Sequence, residues 1–137
     1  MAVTAAFTNQ AKQDFLNGVH QPGDVYKVAL YTQAAATMDK TTTAYSATGE
    51  ISGTGYTATG MNLAGFTVGI SSDTAYMTFT NPAWTTATIT ADAALIYNST
   101  RSNKAIGVLT FTSASSTGAT WTLNLPAAGL TAILRIA

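Results

Sequence analysis

The stretch from 89 to 111, ITADAALIYNSTRSNKAIGVLTF, organises the chain. An apolar arm at 93–97 and a second at 105–109 flank residues 98–104, which are wholly polar. Two apolar runs about a polar centre predict two buried strands joined by a solvated loop, with the loop as the exposed tip of a core hairpin. Upstream, Phe7, Ala11 and Phe15 recur every four residues with Leu16 beside them, which predicts a helix over 7–17. Thr8 or Asn9 suits its N-cap, and Gly18 suits the left-handed position after its end. So short a helix must dock on the body or on a neighbour. After a turn at Gln21-Pro22-Gly23-Asp24, residues 25–32 carry apolar side chains on both alternating sets, the mark of a central strand covered on both faces.

Residues 33–60 have no strong period. Short strands are expected only near 44–45 and 56–58, and the rest reads as an ordered arm anchored by Tyr45, Ile51 and Tyr56. From 61 the alternation is clean. Ala64, Phe66, Val68 and Ile70 share one strand face, Ser71-Ser72-Asp73 turns, and Ala75, Met77 and Phe79 share the inner face of the next strand. Pro82 ends that hairpin and a strand near 86–90 follows. Residues 112–118 read as a small-residue loop, 119–125 as a strand stopped by Pro126, and Leu130, Ala132, Leu134 and Ile136 as one face of a last strand. Seven to nine short strands with one terminal helix predict a single all-β domain over 1–137, with a helical N-terminal arm at 1–24 and the irregular arm at 33–60. The architecture expected is an antiparallel β-sandwich of jelly-roll or immunoglobulin-like type, with a barrel as the alternative.

Composition narrows the function classes. The 137 residues carry no net charge, and only 9% of them are charged. The Lys and Arg are scattered singly, so neither a nucleic-acid footprint nor a polybasic membrane patch is present. Absent cysteine excludes disulfides and thiolate sites. The start, MAVTAAFTNQAKQD, lacks the basic and apolar segments of a signal peptide, and no apolar run has the length of a membrane span. Charge is far below the roughly 25% of an average domain. A neutral surface rich in Thr, Ser and Ala suits a chain packed against neighbours, since free-standing proteins keep charge to resist association.

Candidate chemistry is sparse. His20, the only histidine, lies in the joint between helix and first strand. A Ser-His-Asp arrangement with Asp24 or Asp14 can be imagined, because serine is abundant, but no G-x-S-x-G elbow supports it; the default role of His20 is that of a solvated or loop-capping histidine. Asp39, Glu50, Asp73 and Asp92 stand singly, without the alternating acids of a calcium loop. Asp92 heads the apolar run and reads as a residue bonding nearby backbone N–H groups. Gly53-Thr54-Gly55-Tyr56-Thr57-Ala58 fits G-x-G-x-x-A but has no buried strand before it and no helix after it, so it reads as a turn. Asn98-Ser99-Thr100 is a glycosylation sequon that matters only after export. Trp121 alternates with Leu123 and Leu125 and reads as core. Trp84 is the better candidate for an exposed aromatic, although burial is favoured for it too. No catalytic, cofactor-binding or metal-binding set emerges, and an enzyme is not expected.

Several segments together resemble a family of small virion structural proteins of tailed bacteriophages. They are Phe15-Leu16-Asn17-Gly18, Tyr26-Lys27-Val28-Ala29-Leu30-Tyr31-Thr32, Glu50-Ile51-Ser52-Gly53-Thr54-Gly55-Tyr56-Thr57, Asn81-Pro82-Ala83-Trp84, Ala93-Ala94-Leu95-Ile96-Tyr97-Asn98 with Asn103-Lys104-Ala105-Ile106, and Leu134-Arg135-Ile136-Ala137. The chain departs from the family at Ala91-Asp92-Ala93, where Arg and Gly are usual. The resemblance implies a non-enzymatic particle component without cofactors, made in the host cytoplasm and resident in the virion. Its partners would be other virion proteins, the major capsid protein first, and it would form a homo-oligomer, a trimer by preference. The low charge, the helix and the long arm fit a capsid decoration (cement) protein. The alternatives are a tail, collar or fibre component, and, from another class, a carbohydrate-binding module. In a contact protein of this design the contacts are expected on the helix and on the 33–60 arm, with the central hairpin as scaffold.

Overall fold

Eight strands and one helix are present among the described residues of a computed structural model, which cover 3–129, 131–132 and 134–136. The fold is all-β and sandwich-like, in two antiparallel sheets. The larger is built on the stretch that dominates the sequence. β6 (Ala83–Asn98) and β7 (Lys104–Thr122) form one long hairpin; β1 (Val3–Phe7) pairs with β7, and β2 (Tyr26–Tyr31) pairs with β6, with β3 (Met61–Asn62) beyond it. The smaller sheet holds β4 (Thr67–Ser71), β5 (Thr74–Thr78) and β8 (Leu134–Ile136), with β5 in the middle. Leu130 and Ile133, expected in the last strand, lie outside the described residues.

The hairpin is longer than its apolar arms suggest. Residues 112–118, expected as a loop, are strand within β7, and 86–90 belongs to β6. Irregularities hid this. The register of β6 on β7 shifts four times, between Trp84 and Ala87, Ala87 and Ile89, Ala91 and Ala93, and Ile96 and Tyr97, and Thr86 has φ +51°. Such shifts disturb the two-residue alternation. The β6 side chains that reach one core are Trp84, Ala87, Ile89, Ala91, Ala94 and Ile96, spaced by three from 84 to 87 and from 91 to 94 and by two elsewhere.

β2 is covered on both faces, as its pattern predicts. Tyr26, Val28 and Leu30 join the main core, together with Met77, Phe79 and Leu134 of the small-sheet side. Ala29 and Tyr31 face a second core with Ala93, Leu95, Tyr97 and Val108. The 33–60 arm supplies the lid of that second core, through Ala36, Met38 and Tyr45. Among the described residues it pairs with the sheet at isolated bridges, Tyr31 to Glu50, Ala44 to Lys104 and Thr54 to Thr88, in place of the expected short strands. Glu50 is its clasp: the Tyr45 and Tyr56 hydroxyls each donate to its carboxylate at 2.6 Å, and the Thr59 amide donates at 2.8 Å. Tyr56 Oη in turn accepts from the Leu30 amide at 3.0 Å. Burial and the Glu50 carboxylate push the Tyr45 hydroxyl up to about 12. Glu50→Ala is expected to loosen the arm without unfolding the sheets. Hydrogen exchange should speed up by about tenfold or more across 33–60 and stay slow in β6 and β7. Unchanged protection in the arm would remove Glu50 from this role.

The arm ends at Gly60, whose φ is +76° and whose backbone lies against β2. A Cβ at Gly60 would be driven into the Val28 carbonyl, so only glycine fits the return of the chain to β3.

At the N-terminus the structure corrects the helical arm expected at 1–24. Phe7 ends strand β1, and α1 runs only over Asn9–Leu16. Thr8 is the cap, its Oγ1 accepting from the Ala11 amide at 3.1 Å. The same hydroxyl donates toward the Ile106 carbonyl at 3.1 Å, which pins the helix to β7. The end is a Schellman turn: the Gly18 amide donates to Phe15, and Val19 donates to Asp14, at 3.2 and 2.9 Å.

Candidate functional site

Two features stand out on this frame, a buried polar cluster at the hairpin tip and an open apolar surface beside it. The cluster gathers residues scattered through the sequence. Asn98, at the end of β6, is fully buried. Its Oδ1 accepts the Thr100 and Arg101 amides at 3.0 and 3.2 Å, which turns its Nδ2 toward Asp24 Oδ2 at 2.8 Å and His20 Nδ1 at 3.0 Å. His20 Nδ1 is therefore the acceptor, and the ring proton sits on Nε2. Nε2 faces Asp14 Oδ2 at 3.7 Å, outside hydrogen-bond range, and has no other partner among the described residues. Arg101 grips Asp24 with two parallel bonds of 2.9 Å, and Lys104 Nζ reaches Asp14 at 3.3 Å.

His20 is thus neither solvated nor a simple loop cap. Its side chain is wholly buried, against Phe15 and within reach of Tyr26. The two acids considered for a triad do gather at it, Asp14 directly and Asp24 through Asn98. No serine hydroxyl is bonded to His20, and neither ring nitrogen is free to take a proton from a nucleophile. The geometry is that of a clamp that fastens the tip of the hairpin to the joint between α1 and β2. The tip is fastened in other ways too: the Ser99 amide donates to Val25 O, and the Val25 amide donates to Thr100 Oγ1, both at 2.9 Å. Residues 98–104 are the tip as expected, exposed at Thr100, Ser102 and Asn103, but fastened through Asn98, Ser99 and Arg101. Sequence reading gave Asn98 no structural role; an asparagine where an apolar run meets a polar loop was the available signal.

Burial holds the His20 pKa below its ordinary value of 6.5, against the pull of Asp14 and Asp24, while Lys104 and Arg101 add to the lowering. The Arg101 guanidinium and the Asn98 amide hold the Asp24 carboxyl well below the usual carboxylate range. Both shifts favour the folded chain at neutral pH. A histidine with a depressed folded pKa draws a proton preferentially in the unfolded chain, so stability falls as pH drops below about 6.5. A carboxylate with a depressed folded pKa adds a second loss below about pH 4. Urea midpoints between pH 8 and pH 3 are expected to show both limbs. His20→Gln, which keeps a side-chain acceptor for Asn98, should flatten the upper limb alone; an unaltered upper limb would assign it to another group.

The other singled-out residues are dispersed. Asp39 caps its own turn through the Thr41 amide at 2.7 Å, and Asp73 lies in the turn between β4 and β5. Asp92 sits in β6 where its register on β7 shifts, and it accepts the Gln33 amide at 2.6 Å, a backbone N–H as expected but one 59 residues away. Gly53 to Ala58 make a turn, with Tyr56 N donating to Gly53 O. Trp84 and Trp121 are both buried, in edge contact across the hairpin with ring centroids 5.6 Å apart. Among the described residues no three His, Asp or Glu side chains gather as a metal site, and no helix is long and apolar enough to cross a membrane.

The open apolar surface lies where α1 meets the small sheet. The register stacks Val68, Met77 and Leu134 in one row and Ile70, Ala75 and Ile136 in the next, all on one face. The sequence predicts its β5 part as inner; Met77 and Leu134 are buried, whereas Ala75 is exposed. Val68, Ile70 and Ile136 are instead 59%, 77% and 58% exposed. Across from them Leu16, on α1, is 91% exposed. Between lies a groove of about 240 Å³ lined by Phe7, Phe15, Tyr26, Phe66, Val68 and Met77. A second hollow adjoins it at Leu16 and Ile136, with Lys12 and Arg135 on its rim. The helix thus contributes exposed apolar surface through Leu16, and the anchors of the 33–60 arm pack inward on the sheet. The chain matches no protein-family model, no curated protein and no solved structure.

Proposed function

We propose that the chain is a structural component of a phage particle, most simply a non-enzymatic capsid decoration protein that stabilises the head through subunit contacts. The observation that carries this reading is the uncovered apolar surface of α1 and the small sheet in a chain with so little charge. Four large aliphatic side chains stand in water there, and covering each would contribute about 1.5–3 kcal/mol. Contiguous apolar surface of this kind marks an interaction site more often than a fold requirement. The resemblance of the sequence to small virion proteins supplies the setting, and the major capsid protein is the partner proposed.

The test is particle assembly. Purified chain should bind undecorated heads and raise their resistance to heat or chelation. Leu16→Asp, on an exposed side chain, should keep the fold and lose the binding. Heads that take up neither protein, or both equally, would overturn the reading. A tail, collar or fibre position is the alternative within the class, and electron microscopy of labelled particles separates it. A carbohydrate-binding module is disfavoured by the burial of both tryptophans, which leaves neither as a sugar platform.

A further inference from the structure

We infer that β4 is a self-pairing edge, through which two copies of this chain join their small sheets into one six-stranded antiparallel sheet. The inference rests on the reading that the chain works by contact, and it names one partner, a second copy, and the register of the contact.

β4 is an outer strand of the small sheet, paired to β5 on one side only. Ser72 and Asp73 form a two-residue turn, with Ser72 at φ +52°. Such a turn closes on a hydrogen-bonded pair, here Ser71 with Thr74. The bonded residues of β4 are then Thr67, Gly69 and Ser71, and Val68 and Ile70 turn their amides and carbonyls outward. No backbone hydrogen bond beyond the β5 ladder engages Val68 or Ile70 among the described residues. Natural edges are guarded against pairing by lysine, proline, a bulge or a covering loop. The sequence Thr67-Val68-Gly69-Ile70-Ser71 has no charge and no proline, and its register on β5 runs without a bulge. Its two outward-bonding residues are also the two most exposed large apolar side chains of the small sheet.

The strand complements itself about Gly69. Set antiparallel with a second copy, Val68 meets the other chain's Ile70 and exchanges two hydrogen bonds with it, and the two-fold repeats this for four in all. The side chains of those pairs fall on the apolar face, so its rows run on from one copy into the next. Gly69 meets Gly69 at the axis, where the backbones approach most closely. Tyr76 lies over that glycine, its hydroxyl only 2.5 Å from where a Cβ would stand; the two tyrosines would roof the junction on the opposite face. Charge agrees with a like partner. An uncharged strand can be paired with itself, whereas an acidic or basic edge would set like charges opposite each other. In this register Asp73 stands across from Gly65, and no charged residue opposes another. A five-residue edge with its flanking side chains is smaller than the roughly 1,200 Å² of a stable interface, so the pair is expected to be weak, with a dissociation constant of about 10–100 μM. The contact is two-fold and separate from any trimer contact.

Thr67 and Ser71 of the other copy are opposed across this junction as a non-hydrogen-bonded pair, with Cα atoms at about 4.5 Å, within disulfide reach. The chain has no cysteine of its own to interfere. Thr67→Cys and Ser71→Cys variants are made separately, checked for native circular dichroism, and oxidised singly and as an equal mixture. The mixture should yield a disulfide dimer and each variant alone should not, since like positions lie about 13 Å apart in this register. Adding Ile70→Lys to both should lower the cross-link yield at least tenfold, and sedimentation should show the cysteine-free chain losing its concentration-dependent association with the same change. Equal cross-linking of the single variants, or none in the mixture, would overturn the inference. Head binding scores the parent reading separately: uptake by heads without the mixed cross-link overturns the edge alone, and the cross-link without uptake overturns the decoration role alone.

Discussion

Replacing Asn98 by alanine is expected to destabilise the folded chain by about 3 kcal/mol. One side chain holds four partners there: the amides of Thr100 and Arg101, His20 Nδ1 and Asp24 Oδ2. All four lose a bond at once, and the residue is fully buried, so water cannot replace them without opening the site. Asn98→Asp is the sharper variant. It keeps an acceptor for the two amides, removes both donors, and sets a second negative charge beside Asp24; its loss at pH 7 should be at least as large. Urea unfolding followed by tryptophan fluorescence measures both. A loss under about 1 kcal/mol for each would mean that the tip is held by the Arg101–Asp24 pair and the Val25 bonds without need of Asn98.

Trp84→Ala should cost still more, about 4 kcal/mol. Trp84 stands directly across from Trp121, touches the ring of Tyr56 at a centroid distance of 6.1 Å, and belongs to the core that joins the hairpin to the small-sheet side. Its removal leaves a hole bordered by rigid rings and strand backbone, which collapse poorly. Trp84→Phe keeps most of the contact and should lose less than half as much. Similar losses for the two variants would point to backbone rearrangement at the Trp84–Ala87 bulge in place of a cavity.

The elements legible in the sequence were those with one undisturbed period. β2 carried apolar side chains on both faces because two cores sandwich it, and β4 with β5 kept a clean alternation to their turn. α1 announced its cap and its terminal glycine. Reading failed where the period was broken from outside the segment. The bulges near Thr86 and Asp92 shifted the phase of β6, so one continuous strand read as two. The distal half of β7, Thr and Ser with small partners, lacked the contrast that separates strand from loop. β1 was missed because two of its five residues are alanine, weak in strand preference. Of the candidate contact surface, the apolar face was visible, but that most of it stays uncovered was not, since alternation reports which side chains share a face and says nothing of what lies over them. The polar clamp was invisible for a related reason: Asp14, His20, Asp24, Asn98 and Arg101 span 88 positions and meet only when the hairpin tip is folded back on the α1–β2 joint.

The pairing of β1 with β7 has a kinetic consequence. In the strand register Val3 pairs with Phe111 and Phe7 with Gly107, partners about a hundred positions apart, whereas β6 and β7 are joined by five residues. Closing the short loop is fast and closing the long one is slow. The hairpin is therefore expected to zip early, and the N-terminal strand to dock late, after the rest of the chain has collapsed. Until it docks, the outer side of β7 from Gly107 to Phe111 is a vacant template. A chain emerging from the ribosome makes β1 first and must keep it waiting for more than a hundred residues. During that interval the β1 of one molecule can occupy the β7 of another, so strand exchange at this site is the misassembly to which the topology is most exposed.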